Sequence, residues 1–205
     1  MANENVTTKV VIPCRFSYVH VWEAASIGDD GDKKFSVSCI IPKSDKTTTD
    51  KVKEAIKAAY TSGITSKFNG KKPASWKNPL RDGDTDRTED DAYQNSFFIN
   101  ASAKTRPGVV DKARQPITDQ EEFYSGCYGY VSINFYPFNA KGNVGVAAGL
   151  NNVMKVKDGE SLGGRVSADA DFAEVDMADA PFPMGDDSEP VSYTHLRAHE
   201  TRRHL

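Results

Sequence analysis

The chain has 205 residues, of which 38% are hydrophobic and 27% charged, and its formal net charge is −3. This length suffices for one domain with a full hydrophobic core and is short for two, and no apolar run approaches the roughly twenty residues that span a membrane. The three cysteines, at positions 14, 39 and 127, are widely separated and odd in number, so neither a disulfide framework nor a zinc site follows from them. The lack of a secretory signal pattern favours a soluble protein of a cytoplasm.

The first half of the chain predicts two strands and a helix. Val6 to Trp22 is rich in Val, Ile, Phe and Tyr, which predicts a first strand with a bend at Pro13. After a turn rich in Gly and Asp, Phe35 to Ile41 alternates apolar and polar residues and predicts a second, antiparallel strand. Thr48 to about Lys67 carries an apolar stripe with helical spacing, and threonines at its start are available to cap the helix.

The second half predicts three more strands separated by polar loops. Asn69 to Asn95 is polar and predicts a long functional loop. Strand character returns at Phe97 to Ala103 and, after a second polar loop, at Gly126 to Phe138, which turns at Asn139 to Asn143 into a last strand, Val144 to Leu150. Several strands, one helix and long loops predict a mainly β fold, a small Greek-key barrel, of which the oligonucleotide-binding fold is the leading member.

The strand from 126 to 138 has aromatic rings on both of its faces. Alternation places Val131, Ile133 and Phe135 on the core side. The opposite face carries Tyr128, Tyr130, Ser132, Asn134 and Tyr136. Flat rings spaced by small polar residues suit stacking against the bases of a single nucleic-acid strand. The pattern equally allows a strand buried on both faces, with the tyrosines as core residues.

Basic and aromatic residues interleave in two further segments. Trp76 is surrounded by Lys71, Lys72, Lys77 and Arg81, and a second basic segment begins with Lys104 and Arg106. Cations that contact phosphates and an aromatic ring that stacks on a base are together the two requirements of sequence-tolerant single-strand binding. Nucleic-acid binding is therefore favoured for the basic residues, whereas for Trp76 a structural anchor is nearly as good an interpretation.

An acidic run between Asp82 and Asp91 leaves catalysis open as an alternative. Its six carboxylates could gather a divalent metal for phosphodiester cleavage, which would make the chain a metal-dependent nuclease or recombinase. The spacing does not fit an EF-hand, since Arg87 stands where glycine is needed and Tyr93 where the glutamate belongs, so a solvated loop is favoured. No Walker loop or dinucleotide fingerprint occurs, so we expect no cofactor, no resident metal and no catalytic residue. A virion or scaffold protein is the third alternative.

Charge is distributed unevenly along the chain. Residues 1–166 contain 23 lysines and arginines against 20 acids, whereas residues 167–190 contain eight acids and no base. We therefore expect a binding domain at 1–166 and a disordered acidic tail at 167–190 that competes with DNA or docks in partner proteins. Val191 to Thr201 matches a translation of the transposon adapter used in sequencing-library preparation, so residues 191–205 are expected to be an artefact, and the metal-like spacing of His195 and His199 carries no weight.

These segments together resemble a known family, the single-stranded DNA-binding proteins of tailed bacteriophages long catalogued as a domain of unknown function. The resemblance spans roughly Val10 to Arg165 and rests on motifs such as KFSVSCIIPKSD, YQNSFFINASAKTRPGVVD and QPITDQEEFYSGCYGYVSINFYPFN. It implies an oligonucleotide-binding barrel that coats single-stranded DNA during phage replication or recombination in the host cytoplasm, with little sequence preference and no catalysis. It also implies that the acidic tail recruits replication proteins, and it leaves the oligomeric state open.

Overall fold

The strands form one sheet that curls until its two sides pair with each other. The computed structural model describes residues 7–26, 32–140 and 143–163. In chain order the strands are β1 (Lys9–Ser26), β2 (Lys33–Pro42), β3 (Leu80–Asp82), β4 (Ser96–Ala103), β5 (Gly108–Val110), β6 (Tyr128–Ala140) and β7 (Asn143–Lys157). The helices are α1 (Lys46–Ser66), the single turn α2 (Gly83–Asp86) and a 3₁₀ turn at Asp91–Tyr93. Among the described residues no helix is both long and apolar enough to cross a membrane.

Five strands close the barrel in the order β4-β2-β1-β6-β7. Neighbours in this order are antiparallel, and the closing pair, β4 with β7, is parallel, with Ala101 opposite Ala148 and Ser102 opposite Gly149. The short strands β3 and β5 extend the sheet beside β4 and β7 respectively. A five-stranded barrel with one main helix is the oligonucleotide-binding architecture, so the predicted fold class is confirmed.

The barrel core consists of the inward-facing residues of the long strands. Val131, Ile133 and Phe135 of β6 are buried, as their alternation predicts. They meet Ile12 and Phe16 of β1, which are also fully buried. The helix α1 adds Val52, Ala55, Ile56 and Ala59, and packs against β6, β1 and β7. Burial of this apolar surface is the main stabilising contribution to the domain.

The local signals at the start of α1 and in β1 differ from the predictions. Asp45, not a threonine, caps the helix, because its carboxylate accepts a hydrogen bond from the Thr48 amide at 3.0 Å. Pro13 lies in continuous register with β6, without a register shift. The register shifts instead fall between Ser17 and His20 and between His20 and Ala25, in the part of β1 that pairs with β2.

The segment predicted as one long loop, 69–95, contains β3, α2 and the 3₁₀ turn. Polar sequence hides these elements, since each is short and is held by neighbours rather than by its own apolar pattern. The expected hairpin between β6 and β7 is present, although its tip, 141–142, lies outside the described residues, and β7 runs on to Lys157 instead of ending at Leu150. The acidic tail, 167–190, and the segment 191–205 also lie outside the described residues and stay predictions.

Candidate nucleic-acid interface

The predicted tyrosine row faces outward along β6. Tyr128 and Tyr130 are each 41% exposed and Tyr136 is 43% exposed, so the interpretation as a strand buried on both faces is wrong. Residues two apart in a strand are separated by about 7 Å, which is twice the 3.4 Å rise of stacked bases. Tyr128 and Tyr130 are therefore spaced for neighbouring bases of an extended strand, in which the bases are drawn apart to about twice their stacked separation, whereas Tyr136 lies about 20 Å further along β6.

Tyr128 and Tyr130 share a groove of about 610 Å³ with two cations, and we call this the tyrosine groove. The Arg15 guanidinium carbon lies 5.4 Å from the centroid of the Tyr128 ring, and Lys157 lines the same groove. Its other walls come from β1, β2, β7 and the segments after β2 and before β4, and they include Pro13, Ile40, Pro42, Ser44, Asp45, Ala92, Ser96 and Val156. Aromatic planes and cations in one groove can stack on bases and contact phosphates.

Two backbone features hold the tyrosine groove in shape. Arg15 is oriented by hydrogen bonds from Nε to the Gly126 carbonyl at 3.2 Å and from Nη2 to the Glu160 carbonyl at 2.9 Å. Between the two tyrosines, Gly129 lies so close to β7 that a Cβ there would collide with the carbonyl oxygen of Met154. The strand segment that carries both rings therefore depends on glycine at this position.

The basic segment around Trp76 is fastened to the barrel and does not hang free. The Lys77 amide donates to the Val144 carbonyl at 2.9 Å, and the Val146 amide donates to the Lys77 carbonyl at 3.0 Å. Trp76 is half-buried and packs on the Tyr60 ring of α1, with centroids 4.8 Å apart. This contact supports the interpretation of Trp76 as an anchor. The lysines of the segment, Lys71, Lys72 and Lys77, are exposed.

The remaining predicted residues lie on β3 and after β4. The Arg81 Nε is 2.8 Å from the Asp86 carboxylate, and its guanidinium lies 5.0 Å from the Phe98 ring centroid. Lys104 is exposed just beyond β4. The guanidinium of Arg106 lies 5.0 Å from the ring of Trp22, which sequence reasoning did not select. The ten predicted residues thus occupy several places around the barrel, and of these only Tyr128 and Tyr130 line the tyrosine groove.

The carboxylates of the acidic run hold their own segment in place. Lys43 Nζ lies 2.7 Å from the Asp82 carboxylate and 2.8 Å from that of Asp84. Asp84 also accepts a hydrogen bond from the Asn95 amide, and these hydrogen bonds lower its pKa below the usual value. Within the part of the chain that the structure describes, no group of three or more His, Cys, Asp or Glu is arranged to hold a metal ion. This geometry gives no support to the nuclease alternative.

A second hydrophobic cluster covers part of the outer surface of β2 and β4. It consists of Ile40, Tyr93 and Phe98, all buried, with the Tyr93 hydroxyl donating to Ser38 Oγ at 2.9 Å. In chain order β2 and β4 are the second and third barrel strands, whose outer face commonly binds oligonucleotides in this fold. In this chain the segment that carries Tyr93 occupies that part of the face, so bases cannot stack there.

A closed five-stranded barrel that carries exposed tyrosines beside cations belongs to the oligonucleotide-binding class. The chain is a member of the family of the Enterobacter phage Enc34 ssDNA-binding protein, whose family model matches residues 5–182. The predicted family is therefore confirmed.

The chain is also similar to individual phage proteins and solved structures. Putative protein p50 of Acyrthosiphon pisum secondary endosymbiont phage 1 is 33% identical over 176 residues, which cover 80% of this chain and 92% of that protein. The single-stranded DNA-binding protein of bacteriophage Enc34 in complex with ssDNA is similar with a TM-score of 0.61 and 27% identity, over 76% of this chain and 90% of that one. Another structure of the Enc34 protein is similar with a TM-score of 0.62 and 26% identity, over 80% of this chain and 90% of that one.

Proposed function

We propose that this protein binds single-stranded DNA, without catalysis, through the tyrosine groove. The observation that carries the proposal is the presence of Tyr128 and Tyr130 beside Arg15 and Lys157 in one groove. The family membership and the likeness to the Enc34 protein in complex with ssDNA support it.

Binding combines stacking with charge neutralisation. The two rings stack on neighbouring bases, and each stacked base contributes about 1 to 3 kcal/mol. Arg15 has five N–H donors, of which two are engaged by backbone carbonyls, so the others are available to a phosphate. Neither interaction depends on the pattern of donors and acceptors on a base edge, which explains an expected lack of sequence preference.

The outlying predicted residues extend this interface. Lys71, Lys72 and Lys77 form a cationic surface near the start of β7, where they neutralise phosphates beyond the tyrosine groove. Tyr136 offers a separate stacking surface on β6, and Lys104 and Arg106 offer phosphate contacts beyond β4. For Arg81 and Trp76 the contribution is smaller, since both already pack against neighbouring side chains.

In the cell, the protein coats single strands during phage DNA replication or recombination in the host cytoplasm. The acidic segment 167–190 competes with DNA for the cationic surface, because a polyanion linked to a basic domain is attracted to the same groups as the phosphates. The same segment recruits replication proteins.

The test is a titration of labelled single-stranded and duplex oligonucleotides of the same sequence, followed by fluorescence anisotropy over a range of salt concentrations. We expect tighter binding to the single strand at every salt concentration. Equal affinity for both forms would contradict single-strand binding. Parallel incubation with Mg²⁺ or Mn²⁺ checks the nuclease alternative, for which the labelled strand would be shortened instead of protected.

A further inference from the structure

Tyr18 is an exposed ring on a strained backbone. It lies at a register shift of β1, is 48% exposed and has a φ of 46°. A positive φ is a genuine outlier for a bulky residue, and such outliers cluster at ligand-binding sites. Asn adopts this conformation more readily, as at Asn69 and Asn95 of this chain. The backbone alone therefore does not account for a tyrosine at position 18.

Arg87 fixes the orientation of the Tyr18 ring. Its guanidinium carbon lies 5.0 Å from the ring centroid, and Nη1 donates a hydrogen bond to the Tyr18 hydroxyl oxygen at 3.3 Å. Arg87 in turn lies over the buried rings of Tyr93 and Phe98, at 5.6 and 5.9 Å. Although acidic residues are close in sequence, Arg87 forms no salt bridge within the described part of the chain. The guanidinium thus links an exposed ring to a rigid, buried cluster.

Tyr18 lies close to the tyrosine groove. Arg15 pairs directly with Tyr128 across β1 and β6, and Tyr18 follows Arg15 by three residues, a separation of at most about 10 Å. The cluster beneath Arg87 also borders the tyrosine groove, because Ile40 and Ala92 line that groove and pack with this cluster. A DNA strand that stacks on Tyr130 and Tyr128 therefore needs only to pass from β6 onto β1 to reach Tyr18.

Charge around Tyr18 favours a base over a phosphate. A groove of about 560 Å³ beside the ring is lined by Asp86, Glu89, Asp90 and Asp91 together with Arg87, Thr88 and Leu162. Carboxylates repel a phosphate, whereas the uncharged face of a base can approach the ring. Besides Arg87, which lies over the ring itself, a further cation is Arg15, three residues before Tyr18 and in the tyrosine groove.

We propose that Tyr18 stacks on a base of the same DNA strand that occupies the tyrosine groove, with Arg87 as its positioning residue. The interface then runs from β6 across β1 toward β2, with phosphates on the Arg15 side and a base on Tyr18. This inference rests on the proposed function and adds a third stacking position to it.

The first experiment compares Tyr18→Ala, Tyr18→Asn and Tyr18→Phe on a series of oligothymidylates of increasing length. Loss of one half-exposed stacking position predicts affinity lower by about 5- to 30-fold for Ala and Asn on the longer strands, and little change for Phe. The shortest strands that bind through Tyr128 and Tyr130 should bind all variants alike. Unchanged affinity of Tyr18→Asn at every length would overturn the proposal.

Two further measurements separate stacking from a structural role. Since Asn tolerates a positive φ, Tyr18→Asn should unfold at the same temperature as the parent or higher, whereas a tyrosine needed for packing would lower that temperature. Arg87→Leu should weaken long-strand binding, and Arg87→Lys should restore part of it. If Arg87→Leu binds like the parent, Arg87 is not a positioning residue.

Photo-cross-linking gives a direct readout of the stacked residues. Strands that contain 5-iododeoxyuridine should form adducts on Tyr18 as well as on Tyr128 or Tyr130, identified by peptide mass. Adducts on β6 without any on Tyr18 would overturn this inference and leave the proposed function intact. If the parent does not prefer single strands, or if alanine at Tyr128 and Tyr130 changes nothing, the proposed function itself fails.

Discussion

Replacing both Tyr128 and Tyr130 by alanine should weaken single-strand binding by about 30- to 700-fold. Each stacked base is worth about 1 to 3 kcal/mol, and each of the two tyrosines is only 41% exposed, which places each contribution in the lower half of that range. The two rings together then contribute about 2 to 4 kcal/mol, with 1.4 kcal/mol per tenfold change in affinity. Because the rings are neighbours, the double variant need not equal the sum of the single ones.

Fluorescence anisotropy with a labelled single strand measures this loss, and the matched control replaces both tyrosines by phenylalanine. Phenylalanine keeps the aromatic plane, so the control should bind like the parent. The alanine variant should stay folded, since both tyrosines are exposed and lose cross-strand contacts with β1 and β7, each worth about 0.2 to 1 kcal/mol. A folded alanine variant with unchanged affinity would refute the stacking mechanism, and a phenylalanine control as weak as the alanine variant would show that the hydroxyls, not the rings, bind.

Three other results are expected. Arg15→Gln should reduce the slope of log affinity against log salt concentration by about 0.7, the value for one phosphate contact to a single strand, and an unchanged slope would exclude that contact. Deletion from Ser167 onward should tighten DNA binding, most clearly at low salt where charge competition is least screened, and equal or weaker binding there would contradict the competition. Asp45→Ala should cost about 1 kcal/mol of unfolding free energy at neutral pH, whereas Asp45→Asn should not. Hydrogen bonds from Thr48 lower the pKa of Asp45 in the folded protein below its unfolded value of 3.8. The stabilisation by the cap is therefore fully present above pH 3.8 and is lost as the pH falls through the folded-state pKa. Urea titrations at several pH values can follow this loss.

The periodic parts of the fold could be predicted from the sequence. Strict alternation placed Val131, Ile133 and Phe135 in the core and the tyrosines outside, and α1 followed from its helical stripe. The short strands β3 and β5 could not be predicted, because three residues in a polar segment carry no period and pair only because a barrel edge is beside them.

The partners in the tyrosine groove were equally hidden. Arg15 and Lys157 come from β1 and β7, and only the strand register brings them to Tyr128. Tyr18 did leave a signal in the sequence. The inward residues of β1 fall on even positions up to Phe16 and on odd positions from Val19, and such a change of phase within one strand indicates a bulge, a feature common next to functional sites.

The cluster of Ile40, Tyr93 and Phe98 limits how far this domain can be trimmed. A minimal version that keeps only the five barrel strands and α1 would discard the segment with Tyr93 and uncover apolar side chains on β2 and β4. Exposed apolar patches promote association, so the shortened barrel would self-associate instead of remaining a usable scaffold. In this chain the polar insertion between β3 and β4 is therefore an integral wall of the domain, and it must be carried along in any transplanted or engineered form.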